Sequence, residues 1–196
     1  MLAVSACGWL NTREPEEPDA GSTSFIPPTS PDIVLLNFSA AIREKNAEKF
    51  AACFPEAALD EINPDKDKTY LFEPSAEAAQ RFAGVFVDWD VERERQAFVA
   101  LMARVPETRI PALTLKAGLT QFETQSPDSS RYISDYVFVH GAAGETAPDT
   151  VAGTLSFSLQ PADNGFWYIR RWTDLAEDAG DETRETWSTL KAQFVN

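Results

Sequence analysis

The cleanest periodicity in this chain lies at residues 151–172. Val151, Gly153, Leu155, Phe157 and Leu159 alternate with Ala152, Thr154, Ser156 and Ser158, the period of a strand with one buried and one wet face. Residues 160–165 hold Pro161, Asp163, Asn164 and Gly165, all turn formers. The apolar run 166–172 then returns, and the pattern predicts an antiparallel hairpin.

Upstream the period is helical. Ser30-Pro31-Asp32 opens a helix with a capping hydroxyl, a proline at the first position and an acid in the first turn. Leu35, Phe38 and Ile42 form its apolar stripe, and its end is expected near 45–46. Asn46 caps a second short helix carrying Phe50, Cys53 and Phe54, which Pro55 stops. A short strand is expected at 69–72 and one or two helical turns at 74–82. Asp90 caps a further helix whose apolar face is Val91, Phe98, Leu101, Met102 and Val105. Glu92, Arg93, Glu94 and Arg95 read as its solvated face, and Asp88-Trp89-Asp90 as a cap beside a packing tryptophan.

From Ile110 the period returns to two. Leu113, Leu115, Ala117 and Leu119 predict a strand running on towards Phe122. After a turn at 126–130, the strand 131–140 carries Tyr132, Ser134, Tyr136, Phe138 and His140 on one face. Ile133, Asp135, Val137 and Val139 lie on the other. A last helix is expected at 181–194, with Trp187, Leu190 and Phe194 on one side. Helices first, then about four long antiparallel strands, then one helix predict an α+β domain spanning 30–196, its helices packed on one face of the sheet.

Composition narrows the partners. A net charge of -14 argues against nucleic acid and against electrostatic adhesion to anionic lipid. One His and two Cys offer no tetrahedral metal set, and no glycine-rich phosphate loop or G-x-S-x-G is present. No metal or cofactor is expected. Asp174 and Arg171 are spaced to pair as a salt bridge, and Cys53, between two phenylalanines, reads as a small buried hydrophobe.

At the N-terminus, Val4-Ser5-Ala6-Cys7 resembles a bacterial lipobox, with Cys7 the lipidated residue and 1–7 the remnant of its signal. Residues 8–29 are rich in Pro, Ser and acid and poor in apolar side chains, the composition of a disordered tether. About 20 such residues reach on the order of 25 Å. Gly8 after the cysteine, in place of Asp, points to the outer membrane. The expected address is the bacterial envelope, in the periplasm or at the outer membrane, held by a lipid anchor.

The element order, with Gly165-Phe166-Trp167-Tyr168-Ile169 and Arg171-Trp172 in the last strand, resembles the NTF2-like (cystatin-like, SnoaL-like) superfamily. The front end, PPTSPDIVLLNFSAAI with its Phe-rich second helix, is similar to uncharacterised bacterial lipoproteins of that kind. The resemblance implies a curved sheet wrapped round a helix, with a cone-shaped pocket between them. Pocket candidates are Tyr132, Tyr136, His140, Trp167 and Trp172. Two functions stay open. One is a binding domain for an envelope protein or a small apolar ligand, without catalysis. The other is an enzyme of the ketosteroid isomerase or SnoaL-like type, with Asp135 as its base if that face is interior.

Overall fold

The computed structural model describes residues 25–55, 70–142, 149–176 and 185–195. Five helices and six strands are formed there: α1 (Pro31–Glu44), α2 (Ala47–Ala51), β1 (Leu71–Glu73), α3 (Ala76–Arg81), α4 (Val91–Met102), β2 (Ala112–Leu115), β3 (Thr124–Gln125), β4 (Ser130–Val139), β5 (Thr150–Pro161), β6 (Trp167–Leu175) and α5 (Trp187–Val195). The sheet order is β1-β6-β5-β4-β2, with β3 also on β4. The α+β class and the closing helix agree with the sequence. The sheet is larger than the four antiparallel strands expected, and it is mixed. β1 pairs parallel to β6, Phe72 beside Trp172, which no local pattern announces. The strand expected to run on to Phe122 stops at Leu115, where the chain turns through Gly118 in the left-handed region at φ 70°.

The caps expected at Asn46 and Asp90 form, the one expected at Ser30 does not, and Ser75 adds one that the sequence did not single out. Asn46, Ser75 and Asp90 accept from the amides of Lys49, Ala78 and Arg93 at 2.9, 3.3 and 2.8 Å. The Ser30 hydroxyl makes no cap bond, and Pro31 at the first position already supplies a fixed φ.

The folded unit also starts earlier than the expected boundary at 30. The Ile26 amide donates to Asn37 Oδ1 at 3.1 Å, and Asn37 Nδ2 donates back to the Ile26 carbonyl at 2.7 Å. Pro28 is buried, and its carbonyl accepts from the Trp167 amide at 2.7 Å. Residues 25–29, at the end of the proline-rich stretch, are docked against α1 and β6.

One core lies between helices and sheet. Phe38 stands at its centre, its ring 5.2 Å from Phe50, 5.4 Å from Phe157, 5.6 Å from Trp172 and 6.0 Å from Trp187. Register sets the inward row: Phe72 beside Trp172, Trp172 beside Phe157, Phe157 beside Tyr132. A bulge after Ser158 makes Arg170 the extra residue of β6. Tyr136 faces Gly153 across the β4–β5 pair. A Cβ on Gly153 would lie 2.5 Å from the Leu175 carbonyl oxygen and 3.1 Å from the Tyr136 hydroxyl. Only glycine leaves room for that tyrosine to cross towards β6.

Candidate functional site

The polar groups of the interior come from five places in the chain and form two joined clusters. The first centres on Glu94, in the first turn of α4. Its side chain is 1% exposed, so it does not belong to the solvated face expected for residues 92–95. Glu94 Oε1 accepts from Lys191 Nζ at 2.6 Å, from Trp89 Nε1 at 2.8 Å and from the Tyr70 hydroxyl. Lys191, on α5, is 3% exposed. Its ammonium sits 3.4 Å from the centroids of both Phe72 and Trp172, a cation held between two ring faces. Burial pulls the Lys191 pKa from its ordinary 10.5 down to about 8, against the opposing pull of Glu94 and, more weakly, of Asp174. Burial, then the Glu94 charge, drive the Tyr70 hydroxyl upward.

The second cluster centres on Asp174 of β6, fully buried. It accepts from the Tyr136 hydroxyl at 2.8 Å, and from the Ser188 amide and hydroxyl at 2.6 and 2.5 Å. The Tyr136 oxygen in turn accepts from the Trp187 amide at 2.7 Å. A helix begins with amides that lack partners within it. Here β4 and β6 supply the acceptors, and the carboxylate sits at the positive end of the helix dipole. Asp174 is therefore a tertiary cap for α5. Burial raises its pKa, and the Ser188 and Tyr136 donors oppose that shift. The expected Asp174–Arg171 pair does not form, because Arg171 points to Glu73 at 2.8 Å instead.

α5 thus closes the interior. Trp187 stacks on Phe138 with 4.4 Å between centroids, and edges against Trp172 at 5.0 Å. The space left beside Lys191, Phe98 and Leu190 is about 10 Å³, at the lower limit for one water. A larger opening lies outside, where the N-terminal segment meets α2 and the β5–β6 turn. It measures about 240 Å³ and is lined by Phe25, Pro27, Pro28, Ala52, Phe54, Phe166 and Tyr168.

No protein-family model and no curated protein matches the sequence. Solved structures do. A candidate scytalone dehydratase from Novosphingobium aromaticivorans superposes with a TM-score of 0.51 at 12% identity, over 78% of this chain and 87% of that one. A conserved protein from Planctomyces limnophilus gives 0.51 at 13% identity, over 72% and 89%. A candidate dehydratase from the NTF2-like family of Streptomyces avermitilis gives 0.48 at 9% identity, over 73% and 90%. The fold is NTF2-like. At such identities the likeness concerns the fold alone.

Within this NTF2-like domain the sequence candidates fall in different places. Asp135 is on the outer face of β4, its side chain 44% exposed, bound by Lys116 at 3.2 Å and by the Thr154 hydroxyl at 2.7 Å. Those partners lower its pKa, the reverse of what a base in an apolar pocket requires. The premise that its face is interior is overturned. Tyr132, Tyr136, His140, Trp167 and Trp172 are all buried. Tyr136 and Trp172 meet around Trp187. Tyr132 spends its hydroxyl on the Gly118 carbonyl at 2.8 Å, and His140 Nδ1 accepts from the Ala142 amide at 3.1 Å. Trp167 opens β6 beside the docked N-terminal segment. Cys53 is buried, which raises its thiol pKa. Cys7 lies outside the described residues. Among the described residues no group of three His, Cys, Asp or Glu is placed to hold a metal ion, and no helix is long and apolar enough to cross a membrane.

Glu94 and Lys191 were missed, although their spacing carried the signal. Val91, Glu94, Phe98 and Leu101 share one helical face, and so do Trp187, Leu190, Lys191 and Phe194. A charge at a core-facing position on each of two helices is the pattern of a buried pair.

Proposed function

We propose that this chain is a lipid-tethered envelope protein whose NTF2-like domain binds a small apolar ligand without turning it over. The observation that carries the reading is the closure of the interior by α5, with Glu94 bonded to Lys191, and Asp174 to Tyr136 and the Ser188 amide. Asp174 is held by a capping amide and Glu94 by an ion-paired amine, and among the described residues the space beside Lys191 is about 10 Å³, too small for a substrate. An accessible apolar surface among the described residues is the outer groove of about 240 Å³, where the N-terminal segment joins the domain. The tether to Cys7 would hold that groove near the membrane, close to apolar molecules.

Titration of the full chain with 1-N-phenylnaphthylamine tests the groove. Saturable binding is expected, weakened at least about tenfold by Ala52→Trp, which fills the groove from the residue that ends α2, with the unfolding midpoint unchanged. Absence of binding, or binding indifferent to Ala52→Trp, overturns the groove. The anchor is tested separately by fractionating cells that express Cys7→Ala. The substituted chain should move from the membrane pellet to the soluble fraction, and its retention in the pellet would refute lipidation at Cys7.

One observation favours an enzymatic second reading. A buried carboxylate of raised pKa facing a phenol, Asp174 with Tyr136, is a base and donor pair suited to proton transfer beside a carbonyl. It would act only with α5 lifted away.

A further inference from the structure

In the buried ion pair, host and guest come from different parts of the chain. The rings and the carboxylate that hold the Lys191 ammonium belong to elements other than α5. Phe72 is on β1, Trp172 on β6, Trp89 in the turn before α4 and Glu94 on α4. The anion is fixed independently of the lysine, since Tyr70 and Trp89 both donate to Glu94 Oε1. Two ring faces at 3.4 Å, a third at 5.9 Å and a carboxylate at 2.6 Å form a preorganised cation cage. α5 contributes the cation, and its Trp187, Leu190 and Phe194 line the space beside it. The Glu94 charge, and more weakly that of Asp174, favour the ammonium there and offset part of the burial that opposes it.

We propose that this cage is a receptor for short primary alkylammonium ions, kept closed by Lys191 as its in-chain occupant. The ligand class follows from the occupant and the space. What the cage holds is the alkylammonium end of a lysine, and about 10 Å³ remains beside it. Alanine at position 191 removes Cγ, Cδ, Cε and Nζ, so a linear primary ammonium of at most three carbons reproduces the missing stem and head, whereas tetramethylammonium has no N–H to give Glu94. The inference does not depend on the outer groove.

The test is chemical rescue of the full chain carrying Lys191→Ala, followed by thermal unfolding in n-propylammonium chloride. At about ten times its dissociation constant, propylammonium should raise the midpoint by about 3–6 °C. Sodium chloride, 1-propanol and tetramethylammonium chloride at equal concentration should not. The unsubstituted chain, its cage full, should not respond, and neither should Lys191→Ala combined with Glu94→Gln. Should Lys191→Ala fail to fold, propylammonium should restore its near-ultraviolet aromatic circular dichroism, which 1-propanol should not. An ammonium no better than 1-propanol or sodium chloride, in either form of the experiment, overturns the proposal. Rescue that persists with Glu94→Gln does so as well.

Discussion

Lys191→Met should destabilise the domain by about 3–5 kcal/mol, and adding Glu94→Gln should return most of that loss. The single change leaves a buried carboxylate with two neutral donors, Tyr70 and Trp89, and no cation. Methionine keeps most of the volume between Phe72 and Trp172, so a cavity contributes little. In the double variant the glutamine oxygen still accepts from the phenol and the indole, and nothing charged remains inside. Urea unfolding with linear extrapolation measures both. A loss below about 1 kcal/mol for the single change would mean that the pair is not buried as described. A double variant no better than the single one would assign the loss to packing.

The same lysine gives the comparison a pH dependence. Its pKa is about 8 in the folded chain against an ordinary 10.5. Between those values the unfolded chain binds more protons at this site, so stability rises with pH there. The cost of charging a buried amine is fully present below pH 8 and relaxes above it. The stability gap between the unsubstituted chain and Lys191→Met should therefore widen from pH 8 to pH 10. A gap that is flat or narrows would show that the amine is not held as described.

What the sequence disclosed and what it withheld divide along a physical line. Features set by near neighbours were legible: the cap by Asn46, the hairpin around Asn164 and Gly165, the inward face of β4. Features set by long-range pairing were not. β1 joins the sheet through three residues about a hundred positions before their partners on β6. Asp135 and Asp174 show the limit most clearly. Both sit in strands amid apolar residues, yet one faces water and the other is wholly enclosed. Alternation fixes which residues share a face, and packing of helices from elsewhere decides which face is covered. Arg93 and Arg95 flank Glu94, and so its neighbours in sequence imply a solvated side chain. Its spacing from Phe98 and Leu101 was the better guide.

Asp174→Ala should cost about 3–5 kcal/mol and loosen α5 before the rest of the domain. Three donors converge on this carboxylate, the Ser188 amide, the Ser188 hydroxyl and the Tyr136 hydroxyl. Alanine leaves all three buried without an acceptor, and each orphaned group costs about 1–3 kcal/mol. Asp174→Asn keeps one oxygen for the Ser188 side but turns an N–H towards Tyr136, so it should cost less than alanine. Hydrogen exchange locates the effect: the amides of Trp187 and Ser188 should lose protection in Asp174→Ala while those of β4 and β5 keep theirs. Uniform loss across the sheet would deny Asp174 a capping role. Acid gives an independent check on the sign. The folded pKa of Asp174 lies above its ordinary 3.8, so the folded chain binds more protons there as pH falls towards that value. The stabilising contribution is complete below 3.8 and lost as pH rises through the folded value. Relative to Asp174→Asn, the unsubstituted chain should therefore gain stability on acidification, although every exposed carboxylate shared by the two behaves alike. The helix that fills the interior is thus held by one carboxylate at its amino end and by one ammonium a turn further on.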